Sequence, residues 1–251
     1  MTRLRVASIL WAGMVLAGIS SAAKEQAIKI PAFIKQVDAK CYYPQQHGLR
    51  DLSVKVIMPE LESKMATQKI ALKTTYYWKA PNQEKFAVSG FPKGQEANRA
   101  YVEQLLKSGG AAIISRPTAE ALKTYQLTAV KQGNLVIIRG TLKQPGTGPQ
   151  KMALWFRNYE LIRMDADQGG AEVRMTQITT VKKGGQLLPA SMRGELIAQG
   201  KSQPLSTKLS YTQVKGITLV SQIITKVGGQ TVTMKFSGHK VNQGVPDSVF
   251  K

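Results

Sequence analysis

From Tyr125 to the end, the chain repeats short alternating segments separated by glycine turns, and that pattern leaves few folds open. Residues 135–142 end at the loop 144–149; Met152, Leu154 and Phe156 then alternate with Ala153, Trp155 and Arg157. Residues 161–165 follow, and Asp167-Gln-Gly-Gly170 has the residues of a hairpin turn. Further strands are expected over 171–182, 187–198, 205–214, 217–225 and 231–237, with Gly184-Gly185, Gly200, Gly216 and Gly228-Gly229 between them. Period-two alternation broken by turn residues at this spacing describes a meandering antiparallel sheet. A flat open sheet of about ten or eleven strands is unfavourable, so the sheet should curl and present a concave face.

Helices are expected in two places. Pro31 suits the first turn of a helix, where its missing N–H costs nothing. That helix should run to about Cys41, with Phe33, Ile34, Val37 and Cys41 as its apolar stripe. Three strands follow: one carries Val54, Val56 and Met58, the next Ile70, Leu72, Thr74, Tyr76 and Trp78, and the third Phe86 and Val88. A polar stretch covers 60–67 between the first two. Between residues 95 and 108, Ala97, Tyr101 and Leu105 recur at helical spacing, flanked by Val102 and Leu106, and Gly109-Gly110 stops the run. Residues 117–123 should form a second short helix. Helices set into a curled sheet are placed to plug or cover its mouth, with Tyr101, Leu105 and Leu106 as the lid's apolar contacts.

The N-terminus reads as an export signal. Arg3 and Arg5 precede an uncharged, mostly apolar run over 7–19, and small residues close it at 20–23. The run is shorter than the roughly 20 residues that a membrane helix needs. Residues 1–23 are therefore expected to be cleaved, and no Cys near the cleavage region offers an acylation site. The remaining 251 − 23 = 228 residues, 24–251, are expected to form a single domain in the periplasm. The signal holds two of the 35 cations and none of the 15 acids, so the mature charge is 33 − 15 = +18. For an exported chain this charge points to anionic membrane surfaces or envelope polymers and not to nucleic acid. The lysines are spread along the chain, which favours diffuse attraction. Cys41 is the single cysteine, so there is no internal disulfide, and its place on an apolar stripe reads as a core thiol.

Alternation places Tyr76, Trp78, Met152, Leu154, Phe156, Val232, Met234 and Phe236 among the bulky residues of sheet faces. Methionine and aromatic side chains make an adaptable lining for flexible acyl chains, although periodicity does not separate a hollow lining from a filled core. The order of elements, with Leu187-Leu-Pro-Ala-Ser191 and the closing Lys240-Val-Asn-Gln-Gly-Val-Pro-Asp-Ser-Val-Phe-Lys251, resembles the outer-membrane lipoprotein-sorting (LolA-like) group over the mature chain. The resemblance implies a mainly β fold with some α: a strongly curved, unclosed antiparallel β-barrel with a helical lid and an N-terminal helix. It implies a periplasmic carrier that shields the acyl chains of lipid or lipoprotein and works with inner- and outer-membrane transport partners. The group uses an arginine on an early strand to hold the lid. The first strand here offers Lys55, with Arg50 before it, and neither is assigned that role.

Catalytic and metal patterns are weak. His47 and His239 are the two histidines and belong to no metal-ligand spacing. No nucleophile elbow or phosphate loop occurs, since Gly146-Thr-Gly-Pro149 lacks the following Gly-Lys-Ser/Thr. Asp165 and Asp167 precede a glycine pair, as in a solvated hairpin, without the later ligands of a calcium loop. The sequence thus points to a binding protein with no enzyme activity, cofactor or metal. Two alternatives to a carrier are an envelope stress sensor of the same shape and a basic binder of anionic envelope polymers.

Overall fold

The structure, a computed structural model, describes residues 28–110, 113–145, 148–167 and 169–251. The side chains of residues 104, 105 and 107–110 lie outside the described residues, as do residues 1–23, where an export signal is expected. The strands are β1 (Asp51–Ile57), β2 (Lys73–Lys79), β3 (Gln83–Ser89), β4 (Tyr125–Gln132), β5 (Leu135–Leu142), β6 (Lys151–Arg157), β7 (Glu160–Asp167), β8 (Ala171–Lys183), β9 (Gln186–Ala198), β10 (Lys201–Val214), β11 (Ile217–Val227) and β12 (Gln230–Val241). The helices are α1 (Ile30–Lys40), α2 (Pro59–Ala66), α3 (Glu96–Gly110) and α4 (Thr118–Ala121).

All twelve strands form one antiparallel sheet in the order β3-β2-β1-β12-β11-β10-β9-β8-β7-β6-β5-β4. The sheet does not close. Its two edges, β3 and β4, are consecutive in the chain, so the 90–124 connection carrying α3 and α4 runs from one edge to the other. This is an unclosed barrel with helices and an N-terminal helix packed on it, as the pattern of alternation and the resemblance implied.

One inward row can be followed across six strands by register: Ile138, Leu154, Met164, Met175, Gly194 and Leu205. At Gly194 the backbone of β8 comes so near that a Cβ would stand 1.7 Å from the Arg174 carbonyl oxygen. A register shift in β8 between Met175 and Gln177 falls beside it. A glycine next to a bulge is the usual means of bending a strand tightly.

The inward side chains gather in two clusters at opposite ends of the strand order. The first joins Val54, Val56, Tyr76, Trp78, Met234 and Phe236 to Val102, Leu106, Ile113 and Ile114 of the edge-to-edge connection. The second joins Val136, Ile138, Leu154 and Phe156 to Ile34 and Val37 of α1 and to Leu122, just after α4.

Local chemistry explains several departures from the expected pattern. Most of the stretch 60–67, read as polar, belongs to a helix, α2 (Pro59–Ala66). Pro59 starts it, Glu60 and Glu62 favour its first turn, and Glu62 Oε1 accepts the Met58 N–H at 3.3 Å. Strand β2 begins at Lys73 instead of near Ile70, because Lys69 turns the chain at φ 60°. In β12, Gly238 (φ 64°) and His239 stand opposite Val54, a bulge that reverses the phase and returns Val241 to the core. The C-terminal phrase forms a clasp. Asn242 Oδ1 accepts the Arg50 and Asp51 N–H groups at 2.8 and 3.2 Å, and its amide donates to the Gly48 carbonyl at 2.8 Å. The Asp51 carboxylate in turn accepts the N–H groups of Gln243 and Gly244.

Candidate functional site

Helix α1 rests on the inward face of β4–β7. Its apolar stripe forms as the spacing predicts: Ile34 and Val37 are buried, and Phe33 packs against the same cluster. Phe33 meets Phe156 edge to face at 5.5 Å and lies 5.2 Å from Tyr159 in the β6–β7 turn. The helix ends at Lys40. Cys41 is half-buried beside the cluster and bridged to Leu187, and burial raises its thiol pKa above the ordinary value.

Clefts lie on both flanks of α1. The larger, of about 520 Å³, is bounded by Lys29, Phe33 and Gln36, by Lys131 and Val136, and by Phe156 and Tyr159. It falls within the roughly 300–1,000 Å³ typical of small-ligand sites. The other, of about 300 Å³, lies among Ile30, Pro31 and Ile34 of α1, Leu122, and Tyr125 and Leu127 of β4, with Lys123 and Lys143 at its border. The larger combines apolar Phe33, Val136 and Phe156 with polar Gln36, Asn134, Asn158 and two lysines, whereas the smaller is mainly apolar with lysines beside it. Phe33 and Ile34, neighbours in the chain, face different clefts, so α1 is the partition between them.

The C-terminal end of α1 is held by polar contacts. The Asp38 carboxylate accepts the Tyr43 hydroxyl at 2.6 Å and the Thr118 and Ala119 N–H groups at 2.7 and 3.1 Å, tying α1 to α4. Burial and the neighbouring carboxylate push the Tyr43 phenol well above its usual range, so it remains a donor. Lys40 Nζ donates to the Asn158 carbonyl at 2.8 Å and sits 5.6 Å from the Tyr159 ring centre. The N-terminal half of α1 has mainly apolar contacts, and those are where the clefts are.

The eight residues expected to line one cavity do not come together. Tyr76, Trp78, Met234 and Phe236 belong to the first cluster, where Tyr76 and Trp78 are 0 % and 1 % exposed and packed as core. Burial and Glu84 raise the pKa of the Tyr76 phenol, which donates to Glu84 at 3.1 Å. Met152, Leu154 and Phe156 belong to the second cluster, with Phe156 at the larger cleft. Val232 requires a correction: it is 37 % exposed and lies outside both clusters, near the β11–β12 turn. Tyr101 requires another. It is 64 % exposed, while Val102 and Leu106 are completely buried, so α3 is turned by about one residue from the expected face. Leu105's side chain lies outside the described residues. Among the described residues no group of His, Cys, Asp and Glu is arranged to hold a metal, and no helix is long and apolar enough to cross a membrane. The contribution of α1 and Tyr159 to a cleft was the part missed; the stripe beside Pro31 signalled a packed helix but not the gaps on its flanks.

No family model matches the sequence, and no curated protein does. Among solved structures, the chain is similar to a domain from Vibrio parahaemolyticus provisionally assigned as an outer membrane lipoprotein-sorting protein. The two share 10 % identity over 88 % of this chain and 95 % of that one, with a TM-score of 0.35. A superposition that loose carries no functional argument, and the functional reading rests on the clefts and helices described above.

Proposed function

We propose that residues 24–251, released from the export signal, act in the periplasm as a carrier that shields acyl chains of lipid or lipoprotein. The observation that supports this most is α1 itself, lying as a partition between two partly apolar clefts on the inward face of β4–β7. Displacing its N-terminal half joins the clefts over Val136, Leu154 and Phe156, while the Asp38 contacts retain its other end. Each methylene buried there stabilises the complex by about 0.8 kcal/mol, so an acyl chain can replace the contacts of Phe33 and Ile34. No covalent step is required. Delivery to a membrane acceptor would be passive exchange of one apolar surface for another.

The test is titration of the purified protein with a fluorescent long-chain fatty acid, together with native mass spectrometry of protein released gently from its own envelope. Saturable binding that is lost in Phe156→Arg and strengthened in Asp38→Ala is expected. The Asp38 change frees α1 without touching either cleft floor. Absence of both binding and co-purified lipid would overturn the reading.

A further inference from the structure

The outward face of β3, β2, β1 and β12 carries a concentration of positive charge that the diffuse sequence distribution concealed. Register aligns three rows of side chains across these strands. One contains Ser89, Lys73, Ile57 and Lys235; the next Ala87, Thr75, Lys55 and Ser237; the third Lys85, Tyr77, Ser53 and Lys240. Those twelve positions hold five lysines and no acid; the Glu60 carboxylate, which accepts the Thr233 N–H at 3.1 Å, lies near Lys235 at the border of the face. Neighbouring strands are about 4.8 Å apart and side chains on one face repeat at about 6.8 Å, so Lys55 lies within roughly 10 Å of several other cations.

The outward face of β7–β9 is different. There Arg163 pairs with Asp165 at 2.7 Å, and Arg174 with Glu172 at 2.8 Å and Glu195 at 3.5 Å, so cation and acid cancel locally. Ion pairs therefore neutralise the outside of β7 and β8, whereas Lys55, Lys73 and Lys240 have no ion pair among the described residues. Lysines often guard a sheet edge, but β1 and β12 are interior strands, so that role does not account for Lys55, Lys235 or Lys240.

We infer that this face docks on an anionic lipid bilayer. A protein partner is the poorer match, because protein interfaces are depleted in lysine and rely on buried aromatic or arginine anchors. Here the large apolar members, Ile57 and Tyr77, are half-buried, and small Ser, Thr and Ala side chains separate the ammonium groups. Lys55, Lys73, Lys235 and Lys240 are exposed, while Lys85 is half-buried and donates to the Lys251 carbonyl at 2.9 Å. Long cations on the outer face of the curled sheet suit a layer of head groups, each exposed lysine contributing about 1 kcal/mol near such a surface. This inference does not depend on the cargo, since the face is on the outside of the sheet and the clefts on the inside.

The experiment is sedimentation of the purified protein with vesicles of equal parts phosphatidylcholine and phosphatidylglycerol, compared with pure phosphatidylcholine, at low ionic strength. A triple variant, Lys55→Gln with Lys73→Gln and Lys240→Gln, should bind roughly 100-fold more weakly. A charge-matched control, Lys182→Gln with Lys183→Gln and Lys201→Gln, should lose far less. All six lysines are exposed, and melting curves verify that both variants remain folded. Equal losses in the two variants would show that attraction is diffuse and overturn the inference. So would unchanged binding of the first variant, or a wild-type protein indifferent to the anionic lipid.

Discussion

Replacing Gly194 with alanine should open the sheet at its tightest point. The new Cβ would stand 1.7 Å from the Arg174 carbonyl oxygen and 2.8 Å from the Met175 Cα. Moving the oxygen to even 3.0 Å, the floor for such contacts, separates β8 from β9 by about 1.3 Å. That stretches a ladder bond of about 2.9 Å past 4 Å, which breaks it. Two ladder bonds at about 1 kcal/mol each, together with the strain of overpacking a row that includes buried Met175, amount to roughly 3–5 kcal/mol. For a domain of this size the loss lowers Tm by about 6–20 °C. Gly140→Ala is the matched control. The nearest atoms to its Cβ would be in the side chains of Met152, Tyr125 and Leu127 at 3.2–3.3 Å, and those can yield by a few tenths of an ångström. Its cost should be below about 1 kcal/mol, offset in part by the smaller entropy loss of alanine. Thermal unfolding followed by circular dichroism measures both. A Gly194→Ala protein melting within 2 °C of wild type would refute the claim that a backbone contact at this row bends the sheet.

Two further expectations follow from contacts away from the clefts. Burial lowers the pKa of His239 below its ordinary value, and its Nε2–H donates to the Val220 carbonyl at 3.2 Å. The unfolded chain therefore takes up the proton first as pH falls through about 6.5, so stability should decline from pH 7 toward pH 5. His239→Gln should flatten that part of the Tm profile, and an unchanged slope would remove His239 as its cause. Asn242→Ala leaves the Arg50 and Asp51 N–H groups without their side-chain acceptor and places alanine at φ 53°. A loss of roughly 2–3 kcal/mol in urea denaturation is expected, whereas a loss under 1 kcal/mol would show that the C-terminal clasp is dispensable.

The strands were legible because period-two alternation and glycine turns are local signals, and they carry over from Leu135 to Phe236 with small shifts at the ends. Helix α3 was legible as a helix but not in rotation. Both Tyr101 with Leu105 and Val102 with Leu106 have i, i+4 spacing, and a tyrosine can serve either face. Helix α2 was too short and polar to give a periodic signal, although Pro59 and Glu62 marked its start. Face assignment predicted which residues of β2, β6 and β12 point together along each strand. It could not predict that strand order sends Trp78 and Phe156 to separate clusters, since that depends on pairing between distant segments. Nor could it show that cover runs out before Val232. The clefts beside α1 were illegible for a related reason: a gap is set by what fails to fill it, and residues 29–36 encode only the helix.

The meeting of β1 with β12 has a consequence for how the protein is made. Leu52 pairs with Val241, 189 positions away, whereas every other pairing among the described strands joins successive segments of the chain. Those local hairpins can zip early and cheaply, but the seam at β1 waits for the last strand to arrive. During that interval β1 and β12 each present an unsatisfied edge, bordered by Val54, Val56 and Phe236 before their cover is in place. The rate-limiting event of folding should be closure of this seam, and the time it takes sets how long the chain needs protection from its own neighbours.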